Sequence, residues 1–339
     1  MKMNWRTGVA SGLISGLLAL GSMAGAEEVS AEWQKIIDAA KAEGKVTLYT
    51  SQGLKQVNDL AARFKEKYGI EMEIVRGLDS DFPPKLDVEI ANNAGIADVV
   101  VQTNVLTQAE QEAKGYYVTP VGPAFDNPDY RKEERAPRGV SFITNAAILT
   151  FSWNTELWEQ GVKDYSDIFH DELKGQIGIT AINSSSQADN YFYLMENYGE
   201  DFVERLAAMK PRVYPGAFPM AQALSAGEIA VALYTEPQVD EKEMGAPVDS
   251  GIAKPAWGAR FYGNIIKSAP HPNAAQLLAN FLVTPEGQAA IARKNASVLP
   301  GIEGSVIGLD DVRMPDPDKI TPEKVQTFKD KFTALFSSN

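Results

Sequence analysis

The chain has few residues that could carry out catalysis. It contains two histidines and no cysteine. No Gly-x-Ser-x-Gly, His-Glu-x-x-His or credible Ser/His/Asp set is present, so a hydrolase reading has no residues to rest on. His170 and His271 stand too far from other ligating side chains in the sequence to make a metal site. Neutral hydrogen-bonding groups are better placed. Thr50, Ser51 and Gln52 follow an apolar strand-like run, as does Thr103, and Asn183-Ser184-Ser185-Ser186 stands where a strand should give way to a helix. Backbone N–H groups and hydroxyls at such a junction form an anion cradle. An anion needs a cation. Arg260, in Trp257-Gly258-Ala259-Arg260-Phe261-Tyr262-Gly263, sits between aromatics and is costly there unless paired, and its guanidinium fork fits a carboxylate or phosphonate. Arg76, also at a strand end, reads as a solvated surface residue. Trp257, Phe261, Tyr234 and Tyr214 are candidates for a flat apolar wall. These residue types describe a binding site for a small organic anion.

The elements that must position these groups alternate between helix and strand. Trp33, Ile36, Ile37 and Ala40 make a helical face ending at Gly44, and Val46–Tyr49 follows as a strand. Leu54, Val57, Leu60, Ala61, Phe64 and Tyr68 share a second helical face ending at Gly69. A strand near Met72–Val75, a helix near Pro84–Asn92 and the strand Ala97–Val101 continue the pattern. Such alternation predicts α/β architecture with mostly parallel sheets covered on both faces. Ligands then sit beyond the carboxyl ends of the strands, where the polar clusters lie. A second unit begins near Ala147–Trp153, passes a turn at Asn154-Thr155-Glu156-Leu157, and includes strands at Ile177–Ile179 and Ile229–Tyr234. The run Trp257–Ile266 reads as a strand returning to the first unit. From His271, two helices meet at a corner where Thr284 offers an N-cap oxygen and Pro285 suits the first helical position.

Lys2 and Arg6, the apolar Val9–Leu20 and the small residues Ala24-Gly25-Ala26 come in the order of a signal peptide, so residues 1–26 are expected to be removed on export. Their loss takes two basic residues and no acid, leaving the remainder more negative than the whole chain's −13. That charge argues against nucleic acid and anionic membrane surfaces as partners. Without cysteine, neither a lipid anchor, a disulfide nor a thiolate metal site is available. The chain is too long for one compact core, and two lobes without a linker imply lobes joined by crossing strands.

The segment from His271 to Pro300 and the Ala226-Gly227-Glu228 plus Ile229–Tyr234 element resemble those of periplasmic solute-binding proteins of bacterial ABC importers, nearest to the ferric-iron-binding subgroup. That resemblance implies a two-lobed type II periplasmic binding protein fold. Each lobe would be a mixed, mostly parallel sheet flanked by helices, with a hinge of crossing strands. Residues 27–135 and 260–305 would form the first lobe, and 136–259 and 306–339 the second. It implies a monomer, free in the periplasm, that closes on a small molecule and delivers it to a permease, with no cofactor. The loop Arg212–Ala217 touches ligand in that family. In the iron binders the metal is held by His, Glu and a Tyr-Tyr pair, and those positions fall here on Gly53, Thr103 and Pro237-Gln238, which cannot hold ferric iron. An organic anion is therefore the expected cargo. Iron or another metal is an alternative through Tyr234 and Glu236, and so is a cation such as thiamine or a polyamine, which would need Asp79, Asp189 or Glu236.

Overall fold

The computed structural model describes residues 30–313 and 319–337. The expected signal peptide lies outside the described residues. Local capping sets the first elements. Ser30 Oγ accepts from the Trp33 N–H to open the helix Ala31–Glu43, and Gly44, at φ 73°, closes it in the left-handed conformation. The strand Lys45–Thr50 follows, then the helix Leu54–Tyr68, closed by Gly69 in the same way, then the strand Glu71–Arg76. The helix Leu54–Tyr68 buries Val57, Leu60 and Phe64, as its spacing predicts.

Two sheets result. The first has eight strands in the order Ile307–Gly308, Ala296–Ser297, Ser141–Ile148, Gly258–Ile266, Val99–Gln102, Lys45–Thr50, Glu71–Arg76, with Tyr117–Val118 also paired to Gly258–Ile266. The second has five: Val248–Gly251, Thr150–Asn154, Val231–Thr235, Ile177–Thr180 and Arg212–Tyr214. Both are mixed. Pairing is parallel among the N-terminal βα units and antiparallel where the long strands Ser141–Ile148 and Gly258–Ile266 run side by side. The chain crosses between sheets at Leu149 and returns between Gly251 and Gly258. The first sheet therefore takes in Ser141–Ile148 and Ile307–Gly308, both inside ranges expected for the second lobe. Hydrogen-bond pairing carries the first sheet up to the residue before the crossing. The C-terminal helix Pro322–Phe336 packs on the second lobe, with Phe328 and Phe332 against Tyr191 at ring distances of 5.7 and 5.2 Å.

Two local expectations have visible causes. The turn at Asn154 forms because its Oδ1 accepts from the N–H groups of Glu156 and Leu157. The corner at Thr284 forms as its residues dictate. Thr284 Oγ1 accepts from the Gly287 N–H at 3.1 Å, between the helices Pro272–Leu282 and Pro285–Ile291. The two helices meet so closely there that a Cβ on Gly287 would lie 2.0 Å from the Phe281 carbonyl oxygen. Gly287→Ala is expected to destabilise the protein by about 2 kcal/mol, since backbone rather than a flexible side chain must yield. Urea unfolding of the variant against the parent chain checks this, and a stability loss under about 0.5 kcal/mol would mean that the corner relaxes freely.

Candidate functional site

Parallel strands from both lobes end at one place. A cavity of about 320 Å³ lies there, walled from the first lobe by Ser51, Arg76, Asp79 and Thr103, and from the second by Ser184, Ser186, Phe218 and Tyr234. These eight residues lie at or just beyond the carboxyl end of a strand: Lys45–Thr50, Glu71–Arg76, Val99–Gln102, Ile177–Thr180, Arg212–Tyr214 or Val231–Thr235. Tyr234 is held at φ 81°, an uncommon conformation for a residue with a Cβ, and such strain concentrates at functional sites.

A chain of hydroxyls joins the lobes across this cavity. Ser51 Oγ donates to Asp79 Oδ1 at 2.6 Å, while the Thr103 N–H and Oγ1 donate to Asp79 Oδ2 at 3.1 and 2.5 Å. Thr103 Oγ1 also lies 2.8 Å from Ser186 Oγ, which lies 2.8 Å from Ser184 Oγ. Because the Thr103 hydroxyl donates to Asp79, it accepts from Ser186, and the hydroxyls are polarised toward the carboxylate. Burial pushes the Asp79 carboxyl up from its ordinary range, and the hydrogen bonds from Ser51 and Thr103 oppose that rise.

Two helices begin at the cavity, Ser185–Tyr198 and Ala217–Ser225, and their N-termini favour negative charge. The cradle at Asn183–Ser186 is smaller than its residues suggest. Gln187 Oε1 accepts from the N–H groups of Asn183 and Ser184 at 2.8 and 2.7 Å, so only first-turn N–H groups further along lack a helical partner. Ser184 followed three residues later by Gln187 is a capping-box spacing that could have revealed this from sequence.

Arg76 is the cation at this cavity that the residues alone did not single out. Its Nε donates to the Gln52 carbonyl at 2.9 Å and its guanidinium stacks on Phe218 of the other lobe, 4.4 Å from the ring centroid. Among the described residues no hydrogen bond uses its Nη1 or Nη2. Partial desolvation of the guanidinium at the cleft lowers its pKa, and the nearby Glu236 opposes that shift. Glu236 also lines the cavity; burial raises its pKa, with Lys294 acting against it.

The expected site residues divide. Ser51, Thr103, Asn183, Ser184, Ser186 and Tyr234 line the cavity. Thr50 and Gln52 lie beneath it: Thr50 Oγ1 donates to Gln52 Oε1, and Gln52 Nε2 donates to Asn145 Oδ1 at 2.8 Å. Ser185 turns to Asn104 Oδ1 of the first lobe at 3.1 Å. Tyr214 is half-buried in its strand, and the residues after it, Pro215 to Pro219, form the wall instead. Trp257 donates to Asp189 Oδ2 at 2.9 Å, behind the Tyr234 ring. Arg260 does not face this cavity. Alternation along the strand Gly258–Ile266 sends Phe261 to the cavity and Arg260 to the opposite side, where Nη1 and Nη2 donate to the carbonyls of Arg313 and Val312 at 2.9 and 3.0 Å.

Gly53, Thr103, Pro237 and Gln238, on which the resemblance lays the iron-ligand positions, all lie on the cavity wall. Among the described residues no three His, Cys, Asp or Glu side chains gather so as to hold a metal ion. Nor is any helix among them long and apolar enough to cross a membrane.

Two lobes joined by crossing strands, with a cavity at the facing strand ends, define a protein that captures a small solute between its lobes. The chain belongs to the bacterial extracellular solute-binding proteins, whose family model matches residues 59–312. Its fold is similar to the periplasmic binding protein AfuA from Actinobacillus pleuropneumoniae, solved with exogenous fructose-6-phosphate bound (20% identity, TM-score 0.72, covering 87% of this chain and 99% of that one). It is similar also to the substrate binding protein of an ABC transporter from Agrobacterium tumefaciens (15% identity, TM-score 0.73, 88% and 96%). A third likeness is to iron-bound HitA from Pseudomonas aeruginosa (18% identity, TM-score 0.65, 87% and 98%). At these identities the likeness establishes the two-lobed fold alone.

Proposed function

We propose that this protein captures a small organic anion, of carboxylate, phosphonate or phosphate-ester type, in the periplasm and delivers it to an ABC permease. The observation that carries this reading is Arg76: a guanidinium oriented by the Gln52 carbonyl and the Phe218 ring, with two nitrogens unengaged at the cavity wall. Two helix N-termini add backbone N–H donors on the facing lobe. Asp79 and Glu236 on the same wall favour an anion that also carries hydroxyl or other donor groups. The fructose-6-phosphate of the AfuA complex is an anion of this kind. Capture proceeds by closure: the ligand bridges strand-end loops of both lobes, the closed form is favoured, and the permease reads the closed surface.

Native mass spectrometry of protein purified without refolding tests the reading directly. The expected result is an adduct whose mass matches an organic acid, and whose addition back to refolded protein raises the melting temperature. A hundredfold excess over the dissociation constant should contribute about 2.7 kcal/mol. A carried cation, or stabilisation by ferric ion and by no acid, would overturn it.

A further inference from the structure

One edge of the cleft is closed by a charge cluster centred on a carboxylate that does not line the ligand cavity. Asp240, in the short helix Val239–Glu243 of the second lobe, is buried. Its carboxylate faces three cations of the first lobe: Lys55 Nζ at 2.9 Å, Arg293 Nη2 at 2.5 Å and Lys294 Nζ at 2.9 Å. Lys55 stands in the first turn of the helix Leu54–Tyr68, and Arg293 and Lys294 follow the helix Pro285–Ile291, so every one of these pairs crosses between lobes. Burial alone would raise the Asp240 carboxyl; the hydrogen bonds from Lys55 and Lys294, with the Lys294 and Arg293 charges, outweigh it and hold the group at about 2. A polar vestibule of about 490 Å³ lies beside the cluster and shares Phe218, Glu236, Glu241 and Lys294 with the ligand cavity.

We infer that Asp240 is an electrostatic latch, a positioning residue that adds to the stability of the closed form whenever the lobes meet and fixes Lys294 at the cavity wall. Elsewhere in the cleft Thr103 meets Ser186, Asn104 meets Ser185, Gln56 Nε2 donates to Glu236 Oε2 at 3.3 Å and Arg76 stacks on Phe218, none of them a pair of opposite charges. Here one carboxylate serves three cations, and opening the cleft leaves those like charges on one lobe without their counter-charge. Lys55 and Arg293 are 67% and 46% exposed, so dissolved ions reach the cluster. Screening shortens from about 10 Å at 0.1 M salt to about 3 Å at 1 M, and the latch weakens accordingly. The inference rests on the two-lobed architecture and is independent of what the cargo is.

The absence of cysteine makes the test direct. Val88 on the first lobe and Leu157 on the second are exposed, and cysteines at both accept a pair of spin labels. The protein is unfolded and refolded to strip any carried small molecule, and the inter-label distance distribution is recorded at low and high sodium chloride. At low salt the stripped parent is expected to show a measurable closed-form distance beside the open one. Asp240→Asn should lower that closed-form population severalfold, high salt should do the same to the parent, and salt should add little to the variant. Lys55→Gln, at a side chain 67% exposed, should give a smaller shift in the same direction. If Asp240→Asn does not fold, Lys55→Gln and the salt response of the parent decide. A salt-independent distribution in the parent, or a Lys55→Gln distribution identical to it at low salt, overturns the latch.

Discussion

Arg260→Ala should lower the stability of the ligand-free protein by about 4 kcal/mol while leaving ligand affinity within about twofold of the parent. The guanidinium is only 3% exposed and donates to the carbonyls of Val312 and Arg313. Those residues form a strap over the hinge: Val312 bridges to Ala256, the Arg313 N–H donates to the Ala256 carbonyl at 2.9 Å, and Arg313 Nη1 meets Asp189 Oδ1 at 3.1 Å. Truncation leaves two carbonyls without a donor and removes the group that fastens the strap, and an unsatisfied buried acceptor costs about 1–3 kcal/mol. Arg260→Lys should recover only part of the loss, since an ammonium on a flexible stem does not reproduce the planar fork that meets both carbonyls. Denaturant unfolding and calorimetric titration on the same variant measure both quantities. Normal stability with affinity lost would return Arg260 to the ligand site.

The contrast between Arg260 and Arg76 marks what the residues alone could reveal. Elements set by local rules were legible: the Gly44 and Gly69 helix ends, the Thr284 cap and the strand ends at Ser51, Thr103 and Ser184 depend on neighbours a few residues away. So was the place of binding, because parallel strands direct their carboxyl ends to one crevice. The choice between two arginines depended on distant partners. Arg260 is claimed by carbonyls 52 and 53 residues further on, and Arg76 by a carbonyl 24 residues earlier and a ring in the other lobe. No local spacing encodes those meetings. Strand alternation did carry a partial signal, since Phe261 and Arg260 cannot both face one cavity. The grouping of Glu236 and Lys294 at the wall had no such signal, because the two side chains meet only when the lobes close.

Arg76→Ala is expected to weaken ligand binding by about 3 kcal/mol, chiefly through faster dissociation, with little change in ligand-free stability. The stability forecast follows from exposure: Arg76 is a surface residue, and its one hydrogen bond and one ring contact lie at the cleft rim. The affinity forecast follows from what else the cavity offers. Lys294, the other cation at the wall, is already engaged by Asp240 and Glu241 at 2.9 and 3.4 Å, so it cannot replace a lost guanidinium without giving up those pairs. Arg76→Lys keeps the charge but loses both the Phe218 stack and the paired donors, and should recover less than half of the binding energy. Phe218→Ala separates the two contributions: the charge remains while the surface that orients it across the cleft is gone, and a loss of about 1 kcal/mol is expected. Titration calorimetry with the acid identified by mass spectrometry reads all three variants. An Arg76→Ala protein that binds that acid as tightly as the parent would leave the helix N-termini to neutralise the anion alone, and the cation at the cleft rim would then serve only to bring Phe218 across.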